Sequence, residues 1–223
     1  MQNSLFIGTT LVALSLTNTL LPVNTIGDYP QNTVIRHTVA KATTYTVDPA
    51  QSTISWNAKK VTGEHNGVVK IAKGQLSMDG NKLTGGTFVA DMTTMRDVDK
   101  GEANPFNERL VNHLRSEDFF GVEKFPTSTF KITSVKPIDG TRAGEPNYTV
   151  SGELTIKNMT KPQTFPATVT LSGNVAQATA KLTINRIDYD IKYRAAIIGT
   201  AADKIIDDTF ALDLKMVATK TPL

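Results

Sequence analysis

Cysteine is absent from the 223 residues. That excludes disulfides, thiolate metal sites, a cysteine nucleophile and anchoring through a lipidated cysteine. Histidine is scarce as well: His37, His65 and His113 are the only ones, no two share a metal-ligand spacing, and no metal site is expected. Nor is there a block of like charges. Charged residues make up 20% of the chain and the formal net charge is +3, so no nucleic-acid partner is indicated despite a pI near 9.0. Residues 1–27 lack charged side chains altogether, and Leu5 to Leu21 is apolar with interleaved threonines, the pattern of the core of a secretory signal. No Lys or Arg precedes this run and no cleavage site directly follows it; the small-x-small pattern Ala40-Lys41-Ala42 lies well downstream. Thr9, Thr10, Ser15, Thr17, Asn18 and Thr19 dilute the run below the roughly 20 apolar residues of a membrane span. The expectation is an apolar leader over 1–21, removed on export, a polar linker or arm over 22–43, and one domain over 44–219.

What is present is alternation. Ile54, Trp56 and Ala58 share a face, as do Val69 and Ile71, Leu76 and Met78, and Phe88, Ala90 and Met92. Gly63 to Gly67 reads as the first reversal, and Asp79-Gly80-Asn81 as a tight hairpin. Phe130 and Ile132 begin a second series. It continues with Tyr148, Val150, Gly152, Leu154 and Ile156, a turn over Lys157 to Pro162, and then Phe165, Ala167, Val169 and Leu171. After Ser172-Gly173-Asn174 come Ala178, Ala180, Leu182 and Ile184, and finally Phe210, Leu212, Leu214 and Met216. About eight half-apolar strands without helices to cover them must close on themselves or form a sandwich, and closure removes the exposed edges. The expected fold is all-β, an eight-stranded antiparallel barrel. Its inward residues fit a filled core or a partly empty lumen equally well.

The sole helical excursion lies between Asn104 and Lys124. Asn104-Pro105 is a helix start, and Phe106, Leu110 and Leu114 form one stripe. Ser116 offers a second N-cap with Glu117 and Asp118 behind it, and Pro126 stops any continuation. Further on, the alternation inverts: Ile187, Tyr189, Ile191 and Tyr193 are apolar where even positions were before, so a bulge or strand end is expected near Asn185 to Arg186.

His113-Leu114-Arg115-Ser116-Glu117-Asp118-Phe119-Phe120, followed by Lys124-Phe125-Pro126-Thr127 and Phe130, resembles the signature of the YceI-like family, and the similarity runs from Tyr45 to about Val217. The resemblance implies an extracytoplasmic, lipocalin-like barrel that binds a polyisoprenoid or similar long-chain lipid, without catalysis or cofactor, and it allows a homodimer. On that reading Trp56, Phe88, Ala90, Met92, Phe130, Ile132, Val150, Leu154, Phe165, Val169, Ala180, Leu182, Ile184, Phe210 and Leu212 line an apolar tunnel. The resemblance extends to Arg186 and Asp188, with Asp190 where many members have glycine. Arg186 is then a candidate for the ligand's polar end, paired with Asp188 or Asp91. The competing readings are an enzyme with His113 as general base beside Glu117 or Asp118, and a structural barrel with a filled core.

Overall fold

The computed structural model describes residues 42–99 and 104–222. The leader, nearly all of the 22–43 arm and His37 lie outside the described residues. Nine strands follow in order: β1 (Thr43–Val47), β2 (Thr53–Lys60), β3 (Gly63–Asp79), β4 (Lys82–Asp97), β5 (Thr127–Pro137), β6 (Tyr148–Ile156), β7 (Met159–Ser172), β8 (Val175–Asn185) and β9 (Ile206–Lys220). The helix α1 (Pro105–Arg115) sits between β4 and β5.

Every neighbouring pair is antiparallel, and β3–β4 pairing closes the ring β3-β2-β9-β8-β7-β6-β5-β4 into an eight-stranded barrel. The ninth strand, β1, completes the position that β2 leaves short. It bonds β3 from Met78 to Gln75 and β9 from Lys220 to Ala218, whereas β2 bonds β3 only as far as Val69. Between β1 and β2 the ladder breaks. Ser52 Oγ accepts from Val217 N at 3.1 Å and Asp48 N donates to Val217 O at 2.8 Å, so the interrupted strand still satisfies its neighbour. The long strands β3 and β4 bend around the barrel through register shifts at Val68/Lys70, Ile71/Lys73 and Ser77/Met78, the local effect of bulges.

Several local expectations shift. The first reversal is the Lys60–Gly63 turn, and Gly63 to Gly67 already belongs to β3. The β6–β7 turn is only Lys157-Asn158, both at positive φ (51° and 60°), and Pro162 lies within β7. Gly152 contributes no free lumen: Phe130 Cζ lies 2.4 Å from where its Cβ would stand, so the ring of β5 rests on bare backbone of β6. Gly67 serves Trp56 in the same way, with an indole carbon 2.2 Å from the missing Cβ position.

The two ends of the barrel differ. The lower end carries the Gly80-Asn81 and Gly173-Asn174 turns and the 138–147 loop, and Tyr45, Val47, Met78, Ala176 and Ala218 pack it solid. The upper end carries the two long connections, β4–α1–β5 and β8–β9. The second holds three short 3-10 helices, Arg186–Tyr189, Ala196–Ile198 and Ala202–Lys204.

Candidate functional site: an apolar cavity in the barrel

Alternation sends the even-numbered side chains of β8 and β9 inward, where the register pairs Ala180 with Leu214, Leu182 with Leu212 and Ile184 with Phe210. The faces of the other strands converge on the same axis. They do not fill it. A cavity of about 190 Å³ remains, running from Leu76, Leu83 and Met216 near the floor to Leu114, Phe120 and Ile206 at the upper end. Its polar contributors are few and include Ser128, Arg186 and Asp207. Such a space is roomy enough for ordered water but offers it few partners, the condition under which a cavity stays dry or holds an apolar guest. The filled-core reading is therefore corrected.

Trp56, Phe88, Ala90, Met92, Phe130, Ile132, Val150, Leu154, Phe165, Val169, Ala180, Leu182, Phe210 and Leu212 all stand on the cavity wall. Ile184 does not. It is fully buried among Phe119, Tyr189 and Ile191, because the β8–β9 connection folds over it and takes up its inward face. The wall also includes Leu114, Phe119 and Phe120 from the β4–β5 connection and Ile191 from the β8–β9 connection. Strand periodicity could not find these, although the Phe119-Phe120 pair following the helix was an available signal.

The first connection is tied down locally. Asn104 caps α1, its side chain accepting from Phe106 N at 3.0 Å, with Pro105 at the first helical position. Phe106 is exposed, so the stripe that faces the barrel is Asn107, Val111 and Leu114 and not the expected Phe106-Leu110-Leu114. Ser116 ends the helix instead of starting another: its hydroxyl donates to His113 O at 2.7 Å, and the chain turns. Arg115 then fastens the helix to β4 by donating to Thr93 O at 2.6 Å and Met95 O at 2.8 Å. Glu117 and Asp118 are not first-turn helix charges. Glu117 pairs with Lys124 at 2.6 Å, which holds its carboxyl below the ordinary range, and Asp118 meets His113 Nε2 at 2.9 Å.

Across the upper end, the second connection begins where β8 ends at Asn185, the expected inversion point. Asn185 caps the first 3-10 turn by accepting from Ile187 N, and Asp190 closes it in the left-handed region at φ 56°. Arg186 is buried beneath. Its Nε donates to Asp207 O (2.8 Å), Nη1 to Ile191 O (2.7 Å) and Tyr193 O (3.0 Å), and Nη2 to Ile206 O (2.9 Å). The nearest carboxylate is Asp208 at 3.6 Å, not Asp188 or Asp91. Burial pushes the guanidinium pKa down, against the opposing pull of Asp208 and Asp207. Four of the five N–H groups of this fork thus hold backbone carbonyls and brace the β8–β9 connection, while Arg186 also borders the cavity. Beside it, Tyr189 is fully buried and accepts from Gln163 Nε2 at 3.2 Å.

His113 joins the two connections. Its ring stands edge-on to Phe119 (5.0 Å) and Tyr193 (4.7 Å), outside the cavity wall. Its Nε2 bonds the carboxylate of Asp118, not a nucleophilic hydroxyl. The residues that could hold a cation are His65, Asp97 and Asp99, whose ligand atoms lie within 4.8 Å of one another, with His65 Nδ1 at 2.7 Å from Asp99. Strand pairing brings them together, so spacing along the sequence could not show it.

Among solved structures, the chain is similar to BcnA of Burkholderia cenocepacia (TM-score 0.61, 23% identity, covering 78% of this chain and 99% of that one). It is also similar to a polyisoprenoid binding domain from Saccharophagus degradans (TM-score 0.55, 14% identity, 79% and 98%). At these identities the likeness shows the fold. In sequence, a UPF0312 protein of Staphylococcus aureus is 29% identical over 165 residues, 70% of this chain and 86% of that protein. Another, from Yersinia enterocolitica, is 44% identical over 62 residues; the match spans only 29% of that relative, and 42% of a Pseudomonas putida one. Residues 45–218 match the model of the YceI-like domain, so the signature around His113, the closed barrel and its cavity have one source: the chain belongs to the YceI-like family.

Proposed function

We propose that this protein binds a polyisoprenoid or similar long-chain lipid inside the barrel, and that it sequesters or ferries that lipid through an extracytoplasmic aqueous space without catalysis. The observation that carries the reading is the cavity itself, elongated, enclosed by eight strands and almost wholly apolar. A slender hydrocarbon is the guest such a wall accepts, since each buried methylene-sized group contributes roughly 0.8 kcal/mol and a few isoprene units give gross binding above about 10 kcal/mol before ordering costs. The Saccharophagus neighbour, a polyisoprenoid binding domain of the same fold, supports the ligand class. The uncharged leader supports export.

Binding of this kind uses few directed contacts. Any polar end would rest at the upper end, where Arg186 and Asp207 meet the cavity. The experiment is mass spectrometry of an organic extract from protein purified from its native host: a stoichiometric isoprenoid or long-chain lipid supports the reading, and a lipid-free protein that also refuses added polyprenol overturns it. Enzymatic use of His113 is disfavoured by its position outside the cavity.

A further inference from the structure

The large apolar side chains that the described residues expose are not scattered over the surface. Val61, Val98, Phe106, Met159, Ile197 and Ile198 all belong to the upper end, on the β2–β3 turn, beyond β4, on α1, at the β6–β7 turn and on the β8–β9 connection. Ile197 and Ile198 are 73% and 57% exposed and Val61 62%, at the tips of separate connections. The turns and loop of the lower end contribute none. Scattered exposed apolar residues need no explanation, but confinement to one end of a barrel does.

Two further features say what covers this rim. It is continuous with the cavity, because the same two long connections supply Leu114, Phe119, Phe120 and Ile191 to the cavity wall. The charged residues flanking the apolar tips are of both signs: Lys59 and Lys60 precede Val61, Lys157 and Lys161 bracket Met159 and Arg194 precedes Ile197, whereas Asp97 and Asp99 flank Val98 and Glu108 follows Phe106. With Asp188 and Asp203 also nearby, apolar contact has to supply the attachment. Apolar tips set among charges of both signs match the surface of a bilayer, where hydrocarbon lies just beneath a layer of phosphates and ammonium groups.

We infer that the upper rim, with Ile197 and Ile198 as its principal anchors, is a docking surface for a lipid bilayer, set so that a lipid passes between membrane and cavity without crossing water. This rests on the proposed lipid binding and adds the route by which the lipid enters. A protein partner or a second copy of the chain is the competing occupant.

The absence of cysteine permits a direct test on the full chain. Ile198→Cys carries an environment-sensitive fluorophore at the rim, and Asn174→Cys carries it at the lower end as a control, because a leader that tethers the protein would not by itself bury either probe. With 3:1 phosphatidylethanolamine–phosphatidylglycerol vesicles containing decaprenol, the rim probe is expected to brighten and to be quenched by acyl-chain bromines, and the control probe to stay unchanged. Ile197→Asp combined with Ile198→Asp, at exposed positions that leave the core intact, is expected to slow decaprenol uptake at least about ten-fold while leaving final occupancy unchanged. Uptake at the native rate in this variant, or a rim probe that ignores the vesicles while decaprenol still enters, overturns the docking surface and leaves lipid binding standing. A rim probe that changes with protein concentration in the absence of vesicles assigns the surface to a second copy and equally overturns it. Failure of the native protein to take up decaprenol, with the rim probe still buried in the bilayer, counts against the proposed ligand and in favour of the docking surface.

Discussion

The lower end of this barrel and its upper end are built from the same strands yet solve opposite problems. Below, the Gly80-Asn81 and Gly173-Asn174 turns bring neighbouring strands together and the 138–147 loop adds nothing to the core cluster or the cavity wall, so Tyr45, Val47, Met78, Ala176 and Ala218 meet at the axis and fill it. Above, two of the connections are long, and they fold inward as separate covers fixed by polar bonds, Arg115 to β4 on one side and Arg186 to its own connection on the other. The difference teaches that the cavity is not a packing defect. It is the space between a floor made of strand and covers made of loop.

If the covers depend on buried polar bonds, Arg186 is their weakest point. Arg186→Met leaves the carbonyls of Ile191, Tyr193, Ile206 and Asp207 without their donor, and is expected to destabilise the domain by about 3 to 5 kcal/mol in urea unfolding. A loss below about 1 kcal/mol would show that the β8–β9 connection is held by other contacts. The floor is tested by Met78→Ala, at a fully buried position away from the cavity wall, with an expected cost of about 3 kcal/mol. Leu212→Ala, beside the cavity, is expected to cost about half as much because its wall already borders empty space. Equal costs would erase the distinction between floor and wall.

Smaller effects follow at the seam between the covers. His113→Ala removes a half-exposed ring that contacts Phe119, Tyr193 and Asp118, and is expected to cost about 1 kcal/mol while leaving bound lipid unchanged, because His113 stands outside the cavity. The smallest effect is that of pH. Lys124 and Lys192 depress the carboxyls of Glu117 and Asp190 below 4.5 and 3.8, their ordinary values. These pairs therefore stabilise fully above those values and lose that contribution as pH falls through the depressed folded-state pKa. Both pairs are exposed, so Lys124→Met with Lys192→Met should flatten the acid limb of a urea-midpoint-against-pH curve only slightly.

Much of the barrel was legible because β alternation is a local signal: Phe88, Ala90 and Met92, or Ala180 and Leu182, face inward for the same reason that their neighbours face out. The inversion after Ile184 likewise marked the end of β8. What alternation could not show is where a third element arrives. Ile184 has the parity of a wall residue, but Tyr189 and Ile191 fold over it, and nothing in the local pattern encodes that return. Ser116 misled for a related reason, since a serine flanked by a helix and two acids serves equally as the end of one helix or the start of another, and only the bond to His113 O decides. Arg186 stands out in the sequence, but its partners do not. Its four carbonyl partners come from residues whose backbone path depends on the finished connection.

The central claim, that the cavity is where a long-chain lipid resides, is tested most directly by the amount of lipid bound to Ala180→Phe, measured by native mass spectrometry beside its unfolding midpoint. Ala180 lies on the wall opposite no polar group it must keep, and the larger ring enters the cavity at the roughly 1 to 3 kcal/mol typical of overpacking. Gln177→Phe, on the exposed face of the same strand, is the control. The expected result is a folded, lipid-free Ala180→Phe beside a folded, lipid-loaded Gln177→Phe. A folded Ala180→Phe that retains its full complement of lipid would contradict the claim and place the ligand elsewhere.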